Sequence, residues 1–395
     1  GAEPPQDQLN NLLEHYQTGK LEEAEELAEL LTQQFPNHPF AWKLLGAVLK
    51  QAGRANESLL PMQKSVELSP KDAEAHNNLG IILKELGRLN EAEASYRQAI
   101  ALGPDYAEAH YNLGIILKEL GRLDEAEASY RQAIALKPDY PEAHYNLGGT
   151  LKELGRLDEA EATLKQATAL KPDHAEAHYN LGIALQELGS LDEAEASYRQ
   201  VIALRPDHAE AHYNLGNTLK KLRRLDESFS SYVRAINLKA DFDGAYSSLG
   251  SALKGAEFNK ANQSLYPTLI NLLTKGNFVR PKDVSGAILS LLRRDNLIED
   301  ALLNRTAFID IKEIDLTIKA LAHVPLLHHL MRICPLPDLQ LEALFVSMRR
   351  VLLTGLAQTE ASPEFIHFLS TLSIHCFTNE YVYFETEEEA ELISA

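Results

Sequence analysis

Three groups of side chains in this 395-residue sequence have the type and spacing for chemistry. His76, His110, His144, His178 and His212 stand 34 residues apart, and Asn78, Asn112, Asn146, Asn180 and Asn214 keep the same step. His323, His328, His329, His367 and His375 gather near Cys334 and Cys376 toward the end of the chain. Imidazoles and thiolates bind metals or move protons, whereas amides donate and accept hydrogen bonds without ionising.

Each group has a bland alternative. Elements 34 residues apart that stack side by side place equivalent residues about 10 Å apart, too far for neighbouring imidazoles to share a metal at about 2 Å. Packing or hydrogen bonding is therefore the favoured role for the five periodic histidines. The second His/Cys group has no CxxC or HxxxH spacing, and adjacent His328 and His329 face different sides of a helix, so ordinary core and surface roles are favoured there too. No glycine-rich phosphate loop, dinucleotide fingerprint or GxSxG is present, and no cofactor, metal or catalytic residue is expected.

The amides are less easily dismissed. Asparagine is a mediocre helix former, and these five sit beside apolar contact positions rather than among them. An amide can pair with both groups of an extended peptide backbone, so a row of them could hold a peptide along its length with little regard to its sequence. Around the row stand Tyr111, Tyr145, Tyr179 and Tyr213, one residue before an Asn, and Lys84, Lys118 and Lys152, six residues after. Tyrosine is a contact residue at interfaces, although a tyrosine stripe also suits packing between helices. Identical copying of a duplicated unit is the competing explanation for the asparagines, but positions beside them vary, as Ile81, Gly149 and Asn217 show.

The elements that must position these residues follow from the same period, the mark of a solenoid. In residues 73–106, Leu79, Ile82, Leu83 and Leu86 give one amphipathic helix. Gly87-Arg88 breaks it, Asn90 (Asp in later units) is expected to cap a second helix, and Pro104 stops that one. Small residues, Gly80, Ala92 and Ala99, fall where the two helices must cross closely.

Leu113-Gly114, Gly121, Ala126, Tyr130, Ala133 and Pro138, at these spacings, resemble the tetratricopeptide repeat. The resemblance implies an all-α, right-handed superhelix of paired helices, with the first helix of each pair lining the concave surface. The asparagine row is similar to the ladder in the repeats of O-GlcNAc transferase, which implies binding of extended protein segments. Chaperone-binding relatives carry Lys where this chain has Tyr111 and its equivalents, which argues against that partner class.

Seven repeats are expected over 5–242, a closing helix and joint over 243–258, and a smaller helical domain over 259–395. The last full repeat drifts, with Arg223, Ser228 and Ala240 in place of Gly, Ala and Pro. Beyond it, helices are expected at 266–275 and 281–294, then two broken at Pro325, one capped by Asp338 and one opened by Pro363. Residues 260–393 resemble the region before the catalytic domain in bacterial tetratricopeptide-repeat proteins that end in an S-adenosylmethionine-dependent methyltransferase. That resemblance implies a recruiting front of a larger enzyme, itself without catalytic residues.

Composition agrees with a protein-binding role. Net charge is −19, with 19 acids and 13 bases over 243–395, which leaves −13 for the first 242 residues. So acidic a surface repels phosphate backbones, and nucleic acid is not an expected partner. No apolar run reaches the roughly 18 residues of a membrane span. Gly1-Ala2 reads as the scar of a trimmed tag, no signal peptide is evident, and two cysteines make no disulfide framework, so a cytoplasmic setting is expected. The Asn56, Asn262 and Asn304 triplets are read as chance matches to the glycosylation pattern. Two other expectations stand beside the peptide-binding one: a structural protein that self-assembles through its repeat ends into homo-oligomers, and the repeat region of a glycosyltransferase-like enzyme.

Overall fold

The computed structural model describes residues 3–303, 311–336, 338–355 and 363–378. The chain divides into two compact units, Gly1–Glu193 and Ala194–Ala395. Asn304 and the acidic segment 379–395 lie outside the described residues, as does the side chain of Cys376.

In the first unit, helices α1 (Gln6–Gln17) and α2 (Leu21–Gln34), α3 (Pro39–Gln51) and α4 (Ala55–Leu68), α5 (Ala73–Glu85) and α6 (Leu89–Leu102), α7 (Ala107–Glu119) and α8 (Leu123–Leu136), and α9 (Pro141–Glu153) and α10 (Leu157–Leu170) form successive pairs, followed by α11 (Ala175–Leu188). Helix α12 (Leu191–Leu204) follows. The second unit continues with the pair α13 (Ala209–Lys221) and α14 (Leu225–Leu238), then α15 (Asp243–Leu253). Beyond these come α16 (Tyr266–Lys275), α17 (Pro281–Leu292), α18 (Asn296–Leu303), α19 (Ile311–Ala322), α20 (Pro325–Ile333), α21 (Leu339–Gly355) and α22 (Pro363–Thr378). There is no strand among the described residues.

Each turn between paired helices is closed by the same two backbone bonds. In the fourth repeat, Gly121 N–H donates to Lys118 O and Arg122 N–H to Leu117 O, at 2.9 and 2.8 Å, with Gly121 left-handed at φ 75°. This closure uses up the linker. The second helix starts directly at Leu89, Leu123 or Leu157, and no side chain caps it. The expected cap at Asn90 is therefore corrected: Asn90, Asp124 and Asp158 lie inside the first turn, where the acids favour the positive helix end without capping it.

The eighth residue of each repeat is where the helices touch. A methyl group on Gly80 would lie 2.7 Å from the Tyr96 ring, on Gly114 2.6 Å from Tyr130, and on Gly216 2.7 Å from Tyr232. Those rings are fully buried, as are Ala92, Ala126 and Ala160. Where Ser58 and Ser228 replace the small Ala, each hydroxyl donates to the facing glycine carbonyl (Gly46 O, Gly216 O) at 2.8 Å, so the buried polar group is satisfied.

An ionic belt runs between second helices. Arg54 pairs with Glu25, Arg122 with Glu93, and Arg156 with Glu127, at 2.6 to 2.9 Å, each Arg also holding a Glu three residues on.

In the second unit one core runs from Phe229 on α14 to Leu372 on α22. Tyr246 of the closing helix lies flat on Phe278 with centroids 5.4 Å apart, Phe229 meets Phe258 at 5.1 Å, and Phe258 N–H donates to Ser290 Oγ at 3.0 Å. The starts expected at Pro281, Pro325 and Pro363 are there, and Asp338 Oδ1 accepts from Gln340 and Leu341 N–H. Helix α18 was not foreseen: "NLIEDALL" is one short amphipathic stretch with no proline or glycine to announce it.

The helix crossing yields a paired prediction. Gly114→Ala forces the Tyr130 ring aside at about 1–3 kcal/mol, against about 1 kcal/mol gained in helix propensity, for a net loss of up to about 2 kcal/mol. Gly149→Ala, whose new methyl meets only Lys118 Nζ at 3.4 Å, should instead stabilise by up to about 1 kcal/mol. Denaturant titration of both variants checks the sign of each.

Candidate functional site

The first helices of successive repeats adjoin one another in the first unit, α3 with α5, α5 with α7, α7 with α9 and α9 with α11, while no pair of second helices comes as close. The first-helix face is thus the inner side of the curve in this unit.

The histidines are not in the asparagine row. His76, His110, His144, His178 and His212 each place Nε2 at 3.0 to 3.1 Å from a proline carbonyl six residues earlier. Trp42, at the same repeat position, donates Nε1–H to Pro36 O at 2.8 Å. A carbonyl only accepts, so each imidazole carries its proton on Nε2, as the indole must. The favoured packing and hydrogen-bonding role is what these residues perform. Among the described residues, no group of three or more His, Cys, Asp or Glu side chains is arranged to hold a metal.

The amides are neither core residues nor fully exposed ones. Asn78, Asn112, Asn146, Asn180 and Asn214 are all half-buried. Asn112 Nδ2 donates to Asn77 Oδ1 and Asn146 Nδ2 to the Tyr111 hydroxyl, both at 3.0 Å. Lys152 Nζ reaches Asn180 Oδ1 at 3.4 Å. The sixth residue of one repeat thus leans on the fifth residue of the repeat before. In the second unit, Ser248 likewise places its hydroxyl 3.4 Å from the Tyr213 hydroxyl. Sequence reading missed this link; its signal was the recurring Tyr-Asn dipeptide one repeat apart.

The tyrosines serve packing as well. Tyr111 meets Tyr140 at 4.8 Å, Tyr145 meets His174 at 4.8 Å, and Tyr213 meets Phe242 at 4.9 Å between ring centroids. Burial pushes the Tyr111 and Tyr145 hydroxyls above the ordinary tyrosine range, so they stay protonated and polar rather than acidic. Tyr179 is half-buried on α11. The lysines are not free charges: Lys84 faces Glu119 at 3.9 Å and Lys118 faces Glu153 at 2.9 Å, each on the following repeat.

A cleft of about 470 Å³ lies over α17, lined by Lys282, Asp283, Gly286, Arg293 and Asp338. In the helices beyond α15, His328 Nε2 contacts Leu321 O at 3.1 Å and His375 Nδ1 contacts Met331 O at 3.2 Å, both buried. Burial pushes the Cys334 thiol up to about 11, the opposite of a reactive cysteine. No helix among the described residues is long and apolar enough to cross a membrane.

Paired helices stacked on a 34-residue period, with a polar row along the first-helix face, define an α-helical repeat scaffold. The repeats are tetratricopeptide repeats: residues 77–141, 119–181 and 209–242 match models of the tetratricopeptide repeat, and 185–222 a model described as TPR repeat. Repeats of this kind act as protein-interaction scaffolds. The chain is similar to the solved structure of YrrB, described as a tetratricopeptide-repeat protein with an unusual peptide-binding site, at 27% identity over 47% of this chain and 95% of that one, with a TM-score of 0.44. MamA matches at 23% identity over 41% and 95%, with a TM-score of 0.40. The C-terminal part of a repeat-containing protein from Cytophaga hutchinsonii matches at 14% identity over 61% and 99%, with a TM-score of 0.51, a likeness of fold. No curated protein sequence matches the chain.

Acid should act on the two units at different pH. Burial lowers the pKa of His212, His328 and His375, so these residues contribute stability that is full above the ordinary histidine value of about 6.5 and is lost as pH falls below it. In the first unit, hydrogen bonds from Arg88, Arg122 and Arg156 hold Glu91, Glu125 and Glu159 below the ordinary glutamate value, so that contribution is lost only at more acidic pH. Protection factors from hydrogen exchange at pH 7 and 5.5 should fall in α20 and α22 and hold in α5 to α10.

Proposed function

We propose that the protein is an interaction scaffold whose first-helix face takes extended protein segments along the row Asn78, Asn112, Asn146 and Asn180 of the first unit, with Asn214 the equivalent residue of the second. The observation that carries the reading is the seating of these amides: all are half-buried, and Asn112, Asn146 and Asn180 are tied to the preceding repeat, yet they lie outside the apolar core that builds the stack. A side chain kept only for stacking would be apolar there, because an amide loses in helix propensity what it gains in one exposed hydrogen bond. Tyr111, Tyr145, Tyr179 and Tyr213 supply aromatic edges beside the row, and the Lys84, Lys118 and Lys152 ammonium groups supply its polar border.

The binding part is residues 5–242, with 243–258 joining it to a helical domain over 259–395. The finer proposal is that the scaffold recruits partners for an S-adenosylmethionine-dependent methyltransferase, and it rests on the sequence resemblance of residues 260–393 alone. The acidic balance of the first 242 residues favours neutral or basic segments as partners.

Two triple variants separate binding from scaffold. Changing Asn112, Asn146 and Asn180 to Ala removes about 1 kcal/mol or more of peptide contact each, which lowers affinity roughly a hundredfold, while gained helix propensity offsets the lost half-exposed bonds. Changing His110, His144 and His178 to Ala should instead cost about 1 kcal/mol of stability per lost carbonyl bond. Pull-down from a random peptide library, with melting curves for both variants, is the measurement. An Asn variant that binds like wild type would remove the support for this reading.

A further inference from the structure

Three amides of the row, Asn112, Asn146 and Asn180, are held in one orientation by residues outside it. A lysine only donates, so the contact from Lys152 Nζ fixes which end of the Asn180 amide is oxygen, and turns Nδ2 toward the Tyr145 hydroxyl, its hydrogen-bond partner. Asn146 Nδ2 is turned to Tyr111 and Asn112 Nδ2 to Asn77 in the same sense. The holding groups are themselves fixed: Asn77 is 4% exposed, and the Tyr111 and Tyr145 rings are clamped by Tyr140 and His174. Asn112 Oδ1 and Asn146 Oδ1 have no hydrogen-bond partner among the described residues and are not buried.

Resting on the peptide-binding reading, we propose that Asn77, Tyr111 and Tyr145 are positioning residues that preset the amides of Asn112, Asn146 and Asn180, and that the ligand is an extended chain recognised through its backbone N–H groups at every third residue. The chemistry is that of a carbonyl oxygen presented to a donor. The stride follows from geometry: a step of about 10 Å between stacked helices spans about three residues of chain at 3.1–3.3 Å each. A polyproline-II-like segment returns the same side to the row at that interval. Proline has no N–H, so it is excluded at the read positions and tolerated between them. Holding the amides before the ligand arrives spares the rotamer entropy that free side chains would lose on binding.

The test uses the full chain, labelled with ¹⁵N-asparagine, and the double variant Tyr111→Phe/Tyr145→Phe, which keeps both rings. Side-chain amide order parameters at Asn146 and Asn180 should fall below about 0.6 in the variant, while Asn112, held by Asn77, stays unchanged as the internal control. The probe is a peptide selected on the wild-type chain from a random phage-displayed dodecapeptide library. It should bind the variant at least tenfold more weakly, and a proline scan along it should abolish binding at every third position. Amides that stay ordered in the variant overturn the positioning role, whatever the peptides do. Order lost with affinity unchanged overturns its part in recognition, and a proline scan without a three-residue rhythm overturns the register. A wild-type selection that yields no peptide overturns the peptide-binding reading itself, with the register, and the order parameters still decide whether the amides are held.

Discussion

Where the two helices of a repeat cross, a bare Cα on one meets a bulky side chain on the other (a buried ring in three repeats, Met62 and Leu164 in two more), and the rest of the repeat is arranged around that contact. A methyl group on Gly80, Gly114 or Gly216 would sit within 2.6 to 2.7 Å of Tyr96, Tyr130 or Tyr232. The crossing is therefore closer than any residue with a side chain allows, and Ala92, Ala126 and Ala160 keep the neighbouring layer equally thin. Such a pair cannot cover its own apolar surface, so it stacks on its neighbours.

Stacking in turn decides how the side chains at the joints between repeats are used. The proline that ends each second helix leaves a carbonyl, and the fourth residue of the next repeat takes it through an imidazole or, once, an indole. The fourth residue is thereby committed to the joint. The fifth packs its ring against an aromatic residue or histidine at the end of its own repeat, and only its polar tip reaches the next one. The amide of the sixth, half-buried, is tied by Nδ2 to the fifth residue of the repeat before, as at Asn112 and Asn146.

The period, the helix pairing and the glycine crossings were legible because each is enforced by a residue with few substitutes: glycine without a side chain, proline without an N–H. The ties of the asparagines were not legible, for a different reason. A link between Asn146 and Tyr111 joins residues 35 apart through a single hydrogen bond, and periodicity reports which face a residue occupies, not whom it touches. The cap assigned to Asn90 failed because the paired turn bonds leave no residue free to serve as one. Beyond α15 the helix starts marked by Pro281, Pro325 and Pro363 could be read, while α18, with no such marker, could not.

Arg223 shows how far the array governs its own parts. It holds φ at 62°, the one left-handed residue other than glycine among those described, and its N–H and that of Arg224 close the turn onto Lys220 O and Leu219 O, as the glycine turns do. That backbone region costs an ordinary L-residue about 1–2 kcal/mol. The paired turn bonds hold the bend in a residue that would not choose it, so a repeat whose own glycine signal has faded still keeps the common shape.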